Sequence, residues 1–161
     1  MIDLQVVAVD EKHMAVTGIP PLLAQCLFDL PEILRRRETP GIRDRLYQVP
    51  RPDDPKAAAE WHEMADPELR HLFASAEETV SRDLTGLRED HVRFPAAHLP
   101  AWMTALNQAR LILGEAHRVT EADMERTDLN PATDPKDRAL LQIHVLGFLL
   151  QRLVEHSQSH A

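Results

Sequence analysis

The chain has 161 residues, a net charge of −8, 27% charged and 43% hydrophobic residues, and few aromatics. That length suits one domain with a core of its own, filled mainly by Leu, Val and Ala, without staples. A single cysteine, Cys26, excludes an intrachain disulfide and suits a reducing, cytoplasmic space. No basic leader precedes an apolar segment, and no run approaches a membrane span, so neither secretion nor membrane insertion is expected. The acidic balance argues against a general nucleic-acid binder, because phosphate contacts need clustered Lys and Arg.

In chain order, residues 2–9 (IDLQVVAV) are β-branched and His13–Thr17 can return as a second strand, turned by Asp10-Glu11-Lys12. A β-hairpin over 1–18 is therefore predicted. Pro20-Pro21 opens a helix over 20–37, interrupted at Pro31. Between 38 and 55, Pro40, Pro50, Pro52 and Pro55 predict an ordered loop without regular helix. A bundle over 56–157 follows. It comprises a short helix over Lys56–Met64, a second opened by Asp66-Pro67 and running to Leu84, and a third short strand at His91–Phe94. Then come a helix over Leu99–His117, a short helix capped by Thr120 with Asp123, and a loop over Asn130–Asp134. The last helix starts at Asp134-Pro135 and ends near His156. The fold class is α+β, mainly α: one domain, a helical bundle carrying a small N-terminal antiparallel hairpin.

Most chemical motifs are incomplete. His62-Glu63 lacks the second His of a zinc-protease helix, since Asp66 holds that position and reads as a helix cap. Nine histidines show no helical ligand spacing, and Asp128, Asn130 and Asp134 lack the glycine and terminal glutamate of a calcium loop. No metal, no cofactor and no catalytic residue is assigned. Cys26 lies on an apolar helix face, as a packed thiol does.

Two features stand out. From Arg35 to Lys56, seven positive residues (Arg35, Arg36, Arg37, Arg43, Arg45, Arg51, Lys56) face four negative ones (Glu38, Asp44, Asp53, Asp54), a local +3 in a chain that is otherwise −11. This is either a solvated connector or an anion-binding or partner-docking edge. In Ala101–His117, the residues Trp102, Leu106, Ala109 and Leu113 form an apolar stripe. Met103, Asn107, Arg110 and Gly114 form the neighbouring row. Gly114 suggests that another backbone passes close by. Either Arg110 pairs with a carboxylate such as Glu60 or Asp53 and is structural, or Asn107 and Arg110 line a small anion pocket. The candidate binding residues are thus Trp102, Asn107, Arg110, Arg45 and Arg51.

The pattern Trp102, Ala105-Leu106-Asn107, Arg110-Leu111, Leu113-Gly114 resembles the central signature of the bacterial DUF2017 family of unknown function. Arg45-Leu46 with Pro50, Asp53 and Asp54 is similar to its RL-x-x-P segment. Glu60 with Leu69-Arg70, and Leu146–Leu149 with Leu153-Val154, match further family features. The likeness runs from about Arg45 to Val154. It departs at His144, Leu150 and Gln151, so no site on the last helix is carried over. The resemblance implies no established activity. The family's neighbourhood with the adaptor of the Clp protease hints at protein turnover.

The leading expectation is a non-enzymatic interaction or regulatory protein. The alternative is a small-anion or metabolite binder, or an enzyme, using Asn107, Arg110 and the basic loop. A DNA-associated regulator is disfavoured by the charge. The last helix is apolar around most of its circumference, from Leu140 to Val154. It is therefore either the central helix of a monomer or the seam of a homodimer, with Gly147 allowing close approach and Leu150 facing the partner.

Overall fold

The computed structural model describes residues 3–46 and 53–159. Strands β1 (Gln5–Ala8) and β2 (His13–Thr17) form the antiparallel hairpin, with Val6 opposite Val16. Asp10 makes the turn, its Oδ1 accepting the backbone N–H groups of Lys12 and His13, each at 2.8 Å. The third strand exists one residue later than expected: β3 (Val92–Pro95) pairs antiparallel with the other edge of β2, giving the order β1-β2-β3. Met14, Val16, Val92 and Phe94 turn one face of this sheet into the core.

Six helices follow or interleave: α1 (Pro21–Arg35), α2 (Pro40–Leu46), α3 (Pro55–Leu84), α4 (Leu99–Ala116), α5 (Glu121–Met124) and α6 (Pro135–Ser159). The family of layers is the expected one, helices dominating with a small sheet at the N-terminal end. Three prolines behave differently from the sequence reading. Pro31 lies inside a continuous α1, where Leu27, Leu30, Ile33 and Leu34 are buried on both sides of it. That burial outweighs the roughly 3 kcal/mol an interior proline costs. Pro67 lies inside α3, so the two expected helices are one of 30 residues. Asp66 therefore caps nothing; its Oδ2 sits 2.9 Å from Nδ1 of His62, one turn back. The cap is Asp54, which accepts the N–H of Ala57 at 3.1 Å.

Pro40 begins α2 within the segment expected to be loop, because the first helical position needs no N–H, and Ile42 anchors the turn in the core. The remainder of that expected loop, 47–52, lies outside the described residues. Within the basic stretch, Arg37 pairs with Glu77 at 2.8 Å and Glu38 with Arg70, tying the turn after α1 to α3.

The central helix is α4. It buries Trp102, Ala105, Leu106, Gln108, Ala109, Ile112 and Leu113 and packs on α1, α2, α3 and α6. Helix α6 lies beside it with one face buried through Leu140, Ile143, Leu146, Leu149 and Leu153. Leu150, assigned to a partner face from sequence, packs against the core, whereas Phe148 is exposed.

Acids lock the junction between α5 and α6. Thr120 and Asp123 form a reciprocal capping box, and Oδ2 of Asp123 lies 2.7 Å from Nζ of Lys136. Asp137 is buried, accepts the N–H of Asn130 at 2.9 Å and pairs with Arg126 at 2.9 Å. The Lys136 hydrogen bond helps bring Asp123 down to about 2. The Asn130 N–H first, and then Arg126, lower Asp137. Folded-state values below the unfolded ones mean that this stabilisation is present above the ordinary Asp value of 3.8 and is lost as pH falls through the folded values. Denaturation midpoints measured from pH 5 to pH 2 should therefore fall below about pH 4, and Asp137→Asn should flatten that decline.

Candidate functional site

Helical spacing puts Asn107, Arg110 and Gly114 on one flank of α4, next to its buried stripe. Arg45 of α2, Ile143 of α6, and Val119 and Met124 after α4 complete a cleft of about 240 Å³ around them. Three of the residues singled out from sequence and one from the basic stretch thus meet: Asn107, Arg110 and Gly114, with Arg45.

Arg110 is half-buried, and its Nε donates to the backbone carbonyl of Ile143 at 3.2 Å. The side chain crosses α6 at Gly147: a Cβ there would stand 3.0 Å from both Cζ and Nε of Arg110. Gly147 is therefore occupied by a guanidinium of the same chain and does not offer the close backbone approach expected of a dimer seam. Nor does Arg110 pair with Glu60, Asp53 or any other carboxylate among the described residues. Its Nε is satisfied by a carbonyl, and its two terminal nitrogens have no protein acceptor among those residues. Gly114 contradicts its reading too. A Cβ there would meet nothing within 4 Å, so the glycine leaves space in the cleft and accommodates no passing backbone.

Arg45 Nε lies 3.4 Å from Oε1 of Glu115, both side chains being about half exposed at 48% and 41%. The cleft therefore carries two guanidiniums against one carboxylate, with apolar walls from Leu111, Val119, Met124 and Ile143. Arg51 lies outside the described residues.

Trp102 is not part of the cleft. It is fully buried, stacked on Phe94 with ring centroids 4.5 Å apart, and its Nε1 donates to Oδ2 of Asp83 at 2.9 Å. The same oxygen is 2.8 Å from Nδ1 of His98. This Asp83–His98–Trp102 group was missed from sequence. His98 and Trp102 are one helical turn apart, but nothing in the sequence points to an acid on another helix.

A second cavity, of about 290 Å³, lies between α1, α4 and α6 and is lined by Asp29, Glu32, Arg36, His117 and Arg138. Its carboxylates oppose an anion, and Arg36 is already 3.6 Å from Glu32. Burial, with Arg36 nearby, lowers His117 and favours its neutral form. Burial, aided by Asp29, raises the Cys26 thiol to about 11, so it is unreactive at neutral pH. No three His, Cys, Asp or Glu side chains converge as metal ligands among the described residues, and none of those helices is long and apolar enough to cross a membrane.

No curated protein and no solved structure matches the chain. A family model does: the domain of unknown function DUF2017 matches residues 8–157, nearly the whole length. This match extends well beyond the Arg45–Val154 likeness and includes most of the hairpin and all of α1. The chain belongs to the DUF2017 family.

Proposed function

We propose that the protein is a non-enzymatic binding protein that holds a small carboxylate with a short apolar body in the cleft at Arg110. The observation that carries this reading is the state of Arg110. Its Nε is anchored on Ile143, its guanidinium lies over Gly147, and its terminal nitrogens lack a protein acceptor among the described residues at the wall of a cleft. A guanidinium presents a planar fork that fits a carboxylate through two hydrogen bonds, and anchoring it beforehand removes part of the ordering cost. Leu111, Val119, Met124 and Ile143 would receive the apolar part, and the Asn107 amide can add a hydrogen bond. The one carboxylate lining the cleft, Glu115, is engaged with Arg45, which favours binding over proton-transfer chemistry.

Thermal shift and calorimetry with a series from acetate to hexanoate, against orthophosphate, test it. Affinity should rise with chain length, at about 0.8 kcal/mol per buried methylene, and a ligand at a hundred times its Kd should stabilise by about 2.7 kcal/mol. Arg110→Ala should abolish binding while costing only about 0.5–1.5 kcal/mol of stability, the value of one hydrogen bond. Gly147→Ala should keep the fold and weaken binding by pushing the guanidinium aside. Orthophosphate alone binding would replace the carboxylate with a phosphate. No binding by any of these anions would end the reading.

A further inference from the structure

A second surface, sharing no residue with the Arg110 cleft, points to a macromolecular partner. Phe28 on α1 is 75% exposed, an unusual state for a large aromatic ring. It does not stand alone. With Ile19, Pro21, Ala24 and Leu87 it lines an open groove of about 540 Å³, whose rim carries Glu89 and Asp90.

The rim is held in place. Arg88 and His91 exchange backbone hydrogen bonds of 2.9 and 2.8 Å across the turn, and Asp90 accepts the N–H of Ile19 at 2.8 Å, tying the turn to the start of α1. Glu89 sits at φ 40°, a left-handed conformation that a residue with a Cβ adopts only when its surroundings impose it. Of the neighbouring basic side chains, Arg88 turns its Nη1 back to the carbonyls of Thr85 and Leu87, at 3.1 and 3.0 Å, and His91 lies with Nδ1 3.4 Å from Oδ1 of Asp90, so Glu89 has no ion pair among the described residues. The groove therefore combines an exposed aromatic, apolar walls and two carboxylates on a fixed turn, in a chain of net charge −8.

We infer that the Phe28 groove docks a segment of a partner protein that presents one large apolar side chain beside Lys or Arg. The apolar side chain packs on Phe28 and Leu87, and the cation meets Glu89 and Asp90. Complementary charge of this kind steers encounter and sets register, while the buried anchor supplies most of the affinity. This inference is independent of the anion cleft, and either can fail without the other.

The test uses the full chain, immobilised and panned against a random peptide display library. Enriched peptides should share an aromatic, Leu or Met within a few positions of Lys or Arg. For a selected peptide, Phe28→Ala should weaken binding by about tenfold or more, and Glu89→Lys with Asp90→Lys by a similar factor that shrinks in high salt. Phe148→Ala, an exposed aromatic on α6, should leave affinity within about twofold, as a site outside the contact does. Circular dichroism confirms that each variant is folded. Peptides that bind Phe28→Ala as tightly as the parent, peptides rich in Asp and Glu, or the absence of any convergent sequence would overturn the proposal. So would a dimer by light scattering that Phe28→Ala dissociates, since the groove's occupant would then be a second copy of the chain.

Discussion

Replacing Trp102 with alanine should lower the stability of the protein by about 3–5 kcal/mol, the range for removing a buried Trp or Phe. The whole margin of a domain is about 5–15 kcal/mol, so this one change removes a large share of it. Trp102 is the largest fully buried side chain, and it lies where the sheet meets the helices: its ring stacks on Phe94 of β3 and its Nε1 reaches Asp83 of α3. Alanine would open a cavity between three elements and remove one of the two donors holding the Asp83 carboxylate. Trp102→Phe narrows these effects, because it keeps a ring against Phe94 and loses the hydrogen bond and only part of the indole volume, so it should cost less than Trp102→Ala. Denaturant midpoints of the two variants and the parent decide the matter. A loss of less than about 1 kcal/mol for Trp102→Ala would mean that the core collapses around the gap and that the sheet is not seated through this ring.

Gly18→Ala should be the most damaging of the glycine substitutions. Gly18 has φ +68°, where a Cβ costs about 1–2 kcal/mol on backbone grounds alone. That Cβ would also stand 1.9 Å from the backbone oxygen of Asp3, so the first residues of the chain must move. Leu4 moves with them. It is 1% exposed in the core, and its carbonyl accepts a hydrogen bond from Arg152 of α6 at 3.0 Å. Part of the roughly 2–5 kcal/mol that a buried leucine supplies is then lost as well. Gly41→Ala is the control. A Cβ at Gly41 meets nothing within 4 Å, and alanine is the better helix former, so thermal melting should show no loss. Equal effects at the two positions would contradict the assigned role of Gly18.

What could be read in the sequence was whatever short-range chemistry decides. The Asp10 turn, the Thr120–Asp123 capping box, the Asp134-Pro135 start of α6 and the period-two strands all depend on residues within a few positions of one another. Prolines were misread where distant packing decides. Pro31 and Pro67 sit inside helices because of burial elsewhere on those helices, and Pro40 opens a helix because Ile42 finds the core. The same division holds at the cleft. Asn107, Arg110 and Gly114 could be grouped by helical spacing alone. Their surroundings could not, because the carbonyl that Arg110 meets and the glycine it crosses lie on α6, more than thirty residues away. Both glycines consequently differ from the close backbone approach read for them: Gly114 opens space, and Gly147 makes room for the Arg110 guanidinium. Trp102 lay on the adjacent stripe of the same helix, and that small rotation sends it to Asp83.

Helix α3 divides energetically along its length. At 30 residues and 1.5 Å per residue it spans about 45 Å, and its fully buried residues are Ala76 and Val80, both in its final third. Pro67 withholds the N–H that the carbonyl of Glu63 would otherwise accept, so the ladder is interrupted ahead of the buried part. Helical order is cooperative through successive bonds, and a missing bond is a weak point at which the turns on either side uncouple more readily. Unwinding that begins at Pro55 reaches this weak point before it reaches Glu77, whose pairing with Arg37 clamps α3 to the turn after α1. The turns upstream of Pro67 should therefore exchange their amide hydrogens faster than those from Ala76 onward, which are seated with α4.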